Sequence, residues 1–197
     1  MERYYSVKEN IEYQSEIVIE RSRFLGYARR VETQEEAQEY IKAIRQKHSD
    51  ARHVVYAYRL FGNSKSTDDG EPSGTAGRPI LEYLGHKGIY NVVMVVVRYF
   101  GGIKLGTGGL VRAYTNSAME TLSNNLVEWQ ELDLYQFDTD YSGYQDILGW
   151  AKNKDVRIDD VKFEDRVRGQ IYTLTDYDMP AGCNYVGKEY GYWEKDD

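Results

Sequence analysis

Tyr90-Asn91-Val92-Val93-Met94-Val95-Val96-Val97-Arg98-Tyr99-Phe100-Gly101-Gly102-Ile103-Lys104-Leu105-Gly106-Thr107-Gly108-Gly109-Leu110-Val111-Arg112 is the stretch whose reading decides the fold. Its first half carries five valines and a methionine in unbroken succession. β-branched side chains favour extended backbone, and an apolar run without polar alternation suits a strand covered on both faces. Its second half is a glycine-rich loop with Gly101, Gly102, Gly106, Gly108 and Gly109. A helix follows, with Leu110, Tyr114, Ala118 and Leu122 spaced four apart along one face. The helix is expected to start at Gly108, where free backbone N–H groups and the positive end of the dipole make an anion site. Arg98, Lys104 and Arg112 can add charge there. The spacing is not a nucleotide signature: Thr107 stands after Gly101-x4-Gly106 where a P-loop needs Lys, and Val111 replaces the third glycine of a dinucleotide fingerprint.

Upstream, Glu16 to Val31 reads as two strands, with Ile17 and Ile19 alternating with Glu16, Val18 and Glu20. Thr33 then caps a helix, and Glu36 can reach back to the Thr33 N–H. Ala37, Tyr40, Ile41 and Ile44 form its buried stripe. His53 to Phe61 is a Val- and Tyr-rich strand. Gly62 to Gly77 reads as loop throughout, and Pro79 suits the first turn of a short helix carrying Ile80, Leu81 and Leu84.

That first loop contains Thr67-Asp68-Asp69-Gly70-Glu71-Pro72-Ser73-Gly74-Thr75-Ala76-Gly77-Arg78-Pro79. Three carboxylates within four residues suggest a Mg²⁺ or Ca²⁺ site, yet the alternating acids of a calcium loop are absent. The same acids equally suit turn capping, with the glycines relieving backbone strain. A polar loop of this length inside a compact chain tends to be functional.

Downstream the pattern resets near Asn124-Asn125. Glu131 to Tyr141 is read as a strand and Tyr144 to Asn153 as a helix with Ile147, Leu148 and Ala151 inward. Asp155 to Phe163 and Val167 to Thr175 form a hairpin across Glu164-Asp165-Arg166. This β-α-β-β order suggests a small ferredoxin-like domain. Pro180, Gly182 and Asn184 leave room for only a short closing helix in Met179–Gly187, and Lys188 to Trp193 suits a last strand.

The net charge of −7 argues against wholesale nucleic-acid binding, but its distribution is uneven. Residues 1–126 carry 17 Lys+Arg against 15 Asp+Glu, and residues 127–197 carry 8 against 17. Two units with different surfaces follow, the first able to attract phosphate locally. The longest apolar run, Val92 to Val97, falls short of the roughly 20 residues of a membrane span. The N-terminus lacks the apolar stretch of a secretory signal. Cys183 is the lone cysteine, which excludes an internal disulfide and a thiolate zinc cage; a cytosolic protein without membrane contact is expected.

No Ser/His/Asp arrangement or metal-ligand spacing is legible. His53 lies near acids but reads as a packing residue, and His48 and His86 fall at helix ends. Cys183 has no recognisable base beside it. Among 19 tyrosines, Tyr56, Tyr58, Tyr99 or Tyr114 can stack bases, although most are expected to fill the core.

The run Asp68 to Gly77 followed by Val96-Val97-Arg98-Tyr99-Phe100-Gly101-Gly102-Ile103-Lys104-Leu105-Gly106-Thr107-Gly108-Gly109-Leu110 resembles the signature of the YigZ/IMPACT family, and Ser22-Arg23-Phe24 and Ala51-Arg52-His53 fall where that family has such residues. The resemblance spans about residues 15–125. It implies an α+β protein: a ribosomal protein S5 domain 2-like domain similar to domain IV of elongation factor G, over residues 1–126, then a ferredoxin-like domain over 127–197. Eukaryotic relatives carry an extra N-terminal domain and damp a translation-controlling kinase; no such domain is expected before Tyr13 here, so that partner is not transferred.

The expectation is therefore a non-enzymatic binding protein linked to translation, without cofactor, metal or catalytic residue. Its partner would be RNA or the ribosome, or a protein of translational control. Arg78, Arg98, Lys104 and Arg112 are the expected charge contacts, with Gly101, Gly102, Gly106, Gly108 and Gly109 allowing close approach. Asp68, Asp69, Gly70, Glu71, Pro72, Gly74, Thr75 and Gly77 form the companion loop. The alternative is phosphoryl transfer, with Asp68, Asp69 or Glu71 holding Mg²⁺.

Overall fold

The computed structural model describes residues 3–192. They divide into one unit spanning Tyr4–Glu128 and a second comprising Arg3 and the chain from Trp129 onward. The fold is mixed α/β, with two antiparallel sheets and four helices among the described residues.

In the larger unit the elements run β1 (Tyr4–Ser6), β2 (Glu12–Ile19), β3 (Ser22–Arg30), α1 (Gln34–Lys47), β4 (His53–Leu60), β5 (Asn63–Thr67), α2 (Gly77–His86), β6 (Val92–Tyr99) and α3 (Gly106–Leu122). Strands β2 to β6 form one antiparallel sheet in the order β2-β3-β6-β4-β5. The valine run is its middle strand. Val92, Met94 and Val96 join Ile80 and Leu84 of α2 and Leu110, Tyr114, Ala118 and Leu122 of α3. Val93, Val95 and Val97 join Ala37, Tyr40, Ile41 and Ile44 of α1 in a separate cluster. All six side chains from Val92 to Val97 are fully buried. At roughly 2 kcal/mol each they contribute on the order of 10 kcal/mol of gross apolar burial, which places this strand at the centre.

Helix α1 begins as its sequence specifies, with the Glu36 N–H donating to Thr33 Oγ1 at 3.2 Å. The return contact differs from expectation: the Glu36 carboxylate accepts from the Glu32 N–H, at 2.7 Å, rather than from Thr33. The expected loop Gly62–Gly77 is also shorter. Asn63–Thr67 forms β5, an edge strand paired with β4 across the Phe61-Gly62 turn. Its polar residues give no apolar signal, and pairing with β4 makes it a strand.

The smaller unit consists of β7 (Val127–Thr139, beginning two residues before the division), α4 (Tyr141–Ala151), β8 (Val156–Phe163), β9 (Val167–Thr173) and β10 (Cys183–Tyr192). These strands lie in the order β10-β7-β9-β8, with antiparallel pairs. β7 starts four residues before the expected strand. Asp140 caps α4 by accepting from the Gly143 N–H at 2.8 Å, so the helix starts at Tyr141 rather than Tyr144. Ile147 is its fully buried residue; Leu148 and Ala151 are half-buried. β10 begins at Cys183, five residues before the expected last strand, whose Trp193 lies outside the described residues. Among the described residues no helix separates β9 from β10, and none is long and apolar enough to cross a membrane.

Candidate functional site

The acids of the first loop hold the fold together. The Asp68 carboxylate accepts from the backbone N–H groups of Gly74, Ala76 and Gly77 at 2.7, 3.0 and 2.9 Å. It thereby supplies the negative charge at the start of α2 that the N-cap residue Ala76 cannot provide. Asp69 accepts from the Val54 N–H at 2.7 Å and pairs with Arg45 at 3.0 Å. Its carbonyl lies 2.9 Å from His53 Nδ1, which fixes that ring by an ordinary backbone contact.

Glu71 reaches across to the second loop. Its carboxylate accepts from Arg98 Nη1 at 2.7 Å and from the Tyr114 hydroxyl at 2.8 Å. The Glu71 and Arg98 side chains are only 4% and 6% exposed. Arg98 Nη2 also donates to Ser22 Oγ at 3.3 Å, and the same oxygen accepts from the Gly101 N–H at 3.1 Å. The guanidinium lies 5.4 Å from the Phe24 ring and 5.5 Å from the Phe100 ring. Burial, followed by the neighbouring Glu71 charge, pushes the Tyr114 phenol well above its usual range, so it stays a donor. A Cβ at Gly101 would run into the Arg21 backbone, so the chain passes this closely only with glycine.

Helix α3 starts at Gly106, two residues before the expected point, and Gly106 turns into it with φ +68°. Leu105 precedes it without any side-chain cap, and its first turn holds no acidic residue. This start opens on a cavity of about 250 Å³. Pro72, Phe100, Leu105 and Leu110 wall it, Arg98 and Glu71 lie beneath, and Lys104, Gly106 and Thr107 complete the lining.

The sequence-predicted cations part company here. Lys104 lines the cavity and is exposed. Arg98 is not a free contact: its charge is already met by Glu71 inside the protein. Arg78 sits on α2 and pairs with Glu82 one turn on, at 2.8 Å. Arg112 is exposed on α3, and its Nη1 would lie 3.9 Å from a Cβ at Gly108, so its guanidinium reaches back to the first turn. Gly102, Gly106 and Gly108 are exposed, whereas Gly101 and Gly109 are half-buried.

Tyr56, Tyr58 and Tyr114 are buried and present no ring for base stacking, and the Tyr99 hydroxyl donates to Asp50 at 3.0 Å. Burial raises the Cys183 thiol pKa, the opposite of what a nucleophile needs. Residue reading alone did not single out the Ser22 bridge, the Tyr114 contact or the apolar walls. The exposed Phe100 beside Gly101-Gly102 was the available signal.

Comparison with known proteins places both loops within one matched domain. The Impact N-terminal domain profile matches residues 20–122, a span holding both loops and Ser22. The chain is 40% identical over 173 residues to IMPACT family member YvyE of Bacillus subtilis (strain 168), covering 86% of this chain and 79% of that one. It is 35% identical over 150 residues to IMPACT family member YigZ of Escherichia coli (strain K12), covering 72% and 74%. A crystal structure described only as a hypothetical protein superposes with a TM-score of 0.61 at 30% identity, over 88% of this chain and 86% of that one. The chain belongs to the IMPACT family.

Proposed function

We propose that this chain is a non-enzymatic binding protein of translational control, acting in the cytosol, whose partner meets the start of α3. One observation carries the reading: an uncapped helix start, flanked by Lys104, opens on a cavity while the nearby loop acids are engaged within the fold. The translational link comes from the family resemblance, whose eukaryotic members restrain a translation-controlling kinase. In fold terms, the larger unit is the S5 domain 2-like part. The smaller is ferredoxin-like, supported by its 4-1-3-2 strand order and by α4 between its first two strands.

Ribosome co-sedimentation at two salt concentrations tests this reading. The wild type should pellet with ribosomes, and Lys104→Glu should stay in the supernatant. Pelleting unchanged by Lys104→Glu would remove the α3 start from the contact. The rival, phosphoryl transfer, requires Mg²⁺ to displace backbone N–H groups from Asp68, Arg45 from Asp69, or Arg98 and Tyr114 from Glu71. Calorimetry with ATP and Mg²⁺ separates the two, because only the enzyme reading predicts heat that vanishes with Asp68→Asn.

A further inference from the structure

We infer that the cavity at the start of α3 receives one large apolar side chain from an acidic segment of a partner protein, whose neighbouring carboxylate meets the α3 N-terminus; this rests on the binding reading above. Pro72, Phe100, Leu105 and Leu110 make walls without charge, in a space of about 250 Å³ that suits a leucine, methionine or phenylalanine side chain. Beneath them the polar groups are largely spoken for, since Glu71 accepts from both Arg98 and Tyr114. A nucleobase entering there would shed water from its whole polar edge against little more than the Arg98 Nε donor, whereas an aliphatic chain or phenyl ring has no polar edge to desolvate.

The apolar character continues outside the cavity. Phe100, Ile103 and Val111 are exposed large hydrophobic residues on the same loop and helix. Beside them the charge is positive. Lys104 lines the opening, the Arg112 guanidinium reaches the first turn, and the dipole of a 17-residue helix adds to both. Arg98 is a buried cation lining the cavity, and its Nε has no hydrogen-bond partner among the described residues. Arg98 is neutralised within the fold and Arg78 pairs with Glu82 on the exposed face of α2, so Lys104 and Arg112 are the expected cations that serve the α3 start. Two cations at that start match about two phosphates of a single strand, a slope of only about −1.4 in log affinity against log salt. That is thin for an RNA backbone and ample for one or two carboxylates.

A random twelve-residue peptide library displayed on phage, selected on the whole protein, tests the proposal. Selected peptides should place Leu, Met or Phe beside Asp or Glu. Thr107→Glu, which adds a charge favourable to the helix itself, should weaken them at least tenfold, as should Phe100→Ala. The winning peptide and a twelve-nucleotide uridine RNA are then titrated into ¹⁵N-labelled protein. Peptide-induced shifts at the Gly106, Thr107 and Gly108 amides, without comparable RNA shifts, are the expected result. Shifts there from the RNA and not from the peptide would overturn the inference and leave the binding reading standing. Selected peptides that are basic, or indifferent to Thr107→Glu, would also overturn it. Failure of both probes to move those amides would sink the inference and the reading together.

Discussion

The Glu71 carboxylate holds the Arg98 guanidinium at 2.7 Å with both side chains sealed from solvent, and this pair ties one glycine-rich loop to the other. Each residue compensates the other in a low-dielectric setting, with Tyr114 and Ser22 completing the network. Removing either alone leaves a buried, unpaired charge. Glu71→Gln should therefore cost about 3 to 5 kcal/mol in urea denaturation. The double variant Glu71→Gln/Arg98→Met should cost clearly less than the sum of the singles. Additive losses would show that the two side chains act independently.

Two glycines of the same motif should respond with opposite sign. Gly101→Ala puts a methyl into the Arg21 backbone and should destabilise by about 1 to 3 kcal/mol. At Gly108 the nearest atom to an added Cβ is Arg112 Nη1 at 3.9 Å, so there is room. Gly108→Ala lies in the first turn of α3 and should stabilise by about 0.5 to 1 kcal/mol. Thermal unfolding of both variants decides, and equal shifts would contradict the close approach at Gly101.

Asp68 caps α2 from eight and nine residues away in sequence. Asp68→Asn keeps the shape but loses the charge-assisted bonds, each about twice as strong as a neutral one. Hydrogen exchange at the Gly74, Ala76 and Gly77 amides should speed up by at least tenfold, while the β6 amides change little. Uniform acceleration across the unit would mean that the loop is not a local device.

How much of this was legible follows the range of each interaction. β6 and the stripes of α1 and α3 were readable because burial leaves its period in consecutive residues. β5 was not, because Asn63–Thr67 is held by pairing with β4 and carries no apolar pattern. Arg98 reads in the sequence as a surface charge, because its partner Glu71 lies 27 residues away and sequence shows a cation without its counter-ion. The loops were visible as glycine clusters; their junction through Ser22, 76 residues from Arg98, was not.

His48 gives the larger unit a pH dependence. Its Nε2 lies 2.7 Å from the Tyr27 hydroxyl and its Nδ1 3.0 Å from that of Tyr99. Burial, then the Lys47 charge, lowers its pKa below 6.5, with Asp50 opposing. The folded state thus binds fewer protons than the unfolded state between the lowered value and 6.5. Stability is full above 6.5 and falls as pH drops through that window. His48→Gln should flatten this part of the urea-midpoint profile, and an unchanged slope would assign it to another group.

The most direct measurement of the central claim is site-specific photo-crosslinking in living cells, with a benzoylphenylalanine at Thr107 and a control at Arg78. Both side chains are exposed, and only Thr107 lines the cavity at the α3 start. A discrete crosslinked partner from position 107, absent from position 78, is the predicted result. Crosslinks from position 78 with none from position 107 would contradict the account.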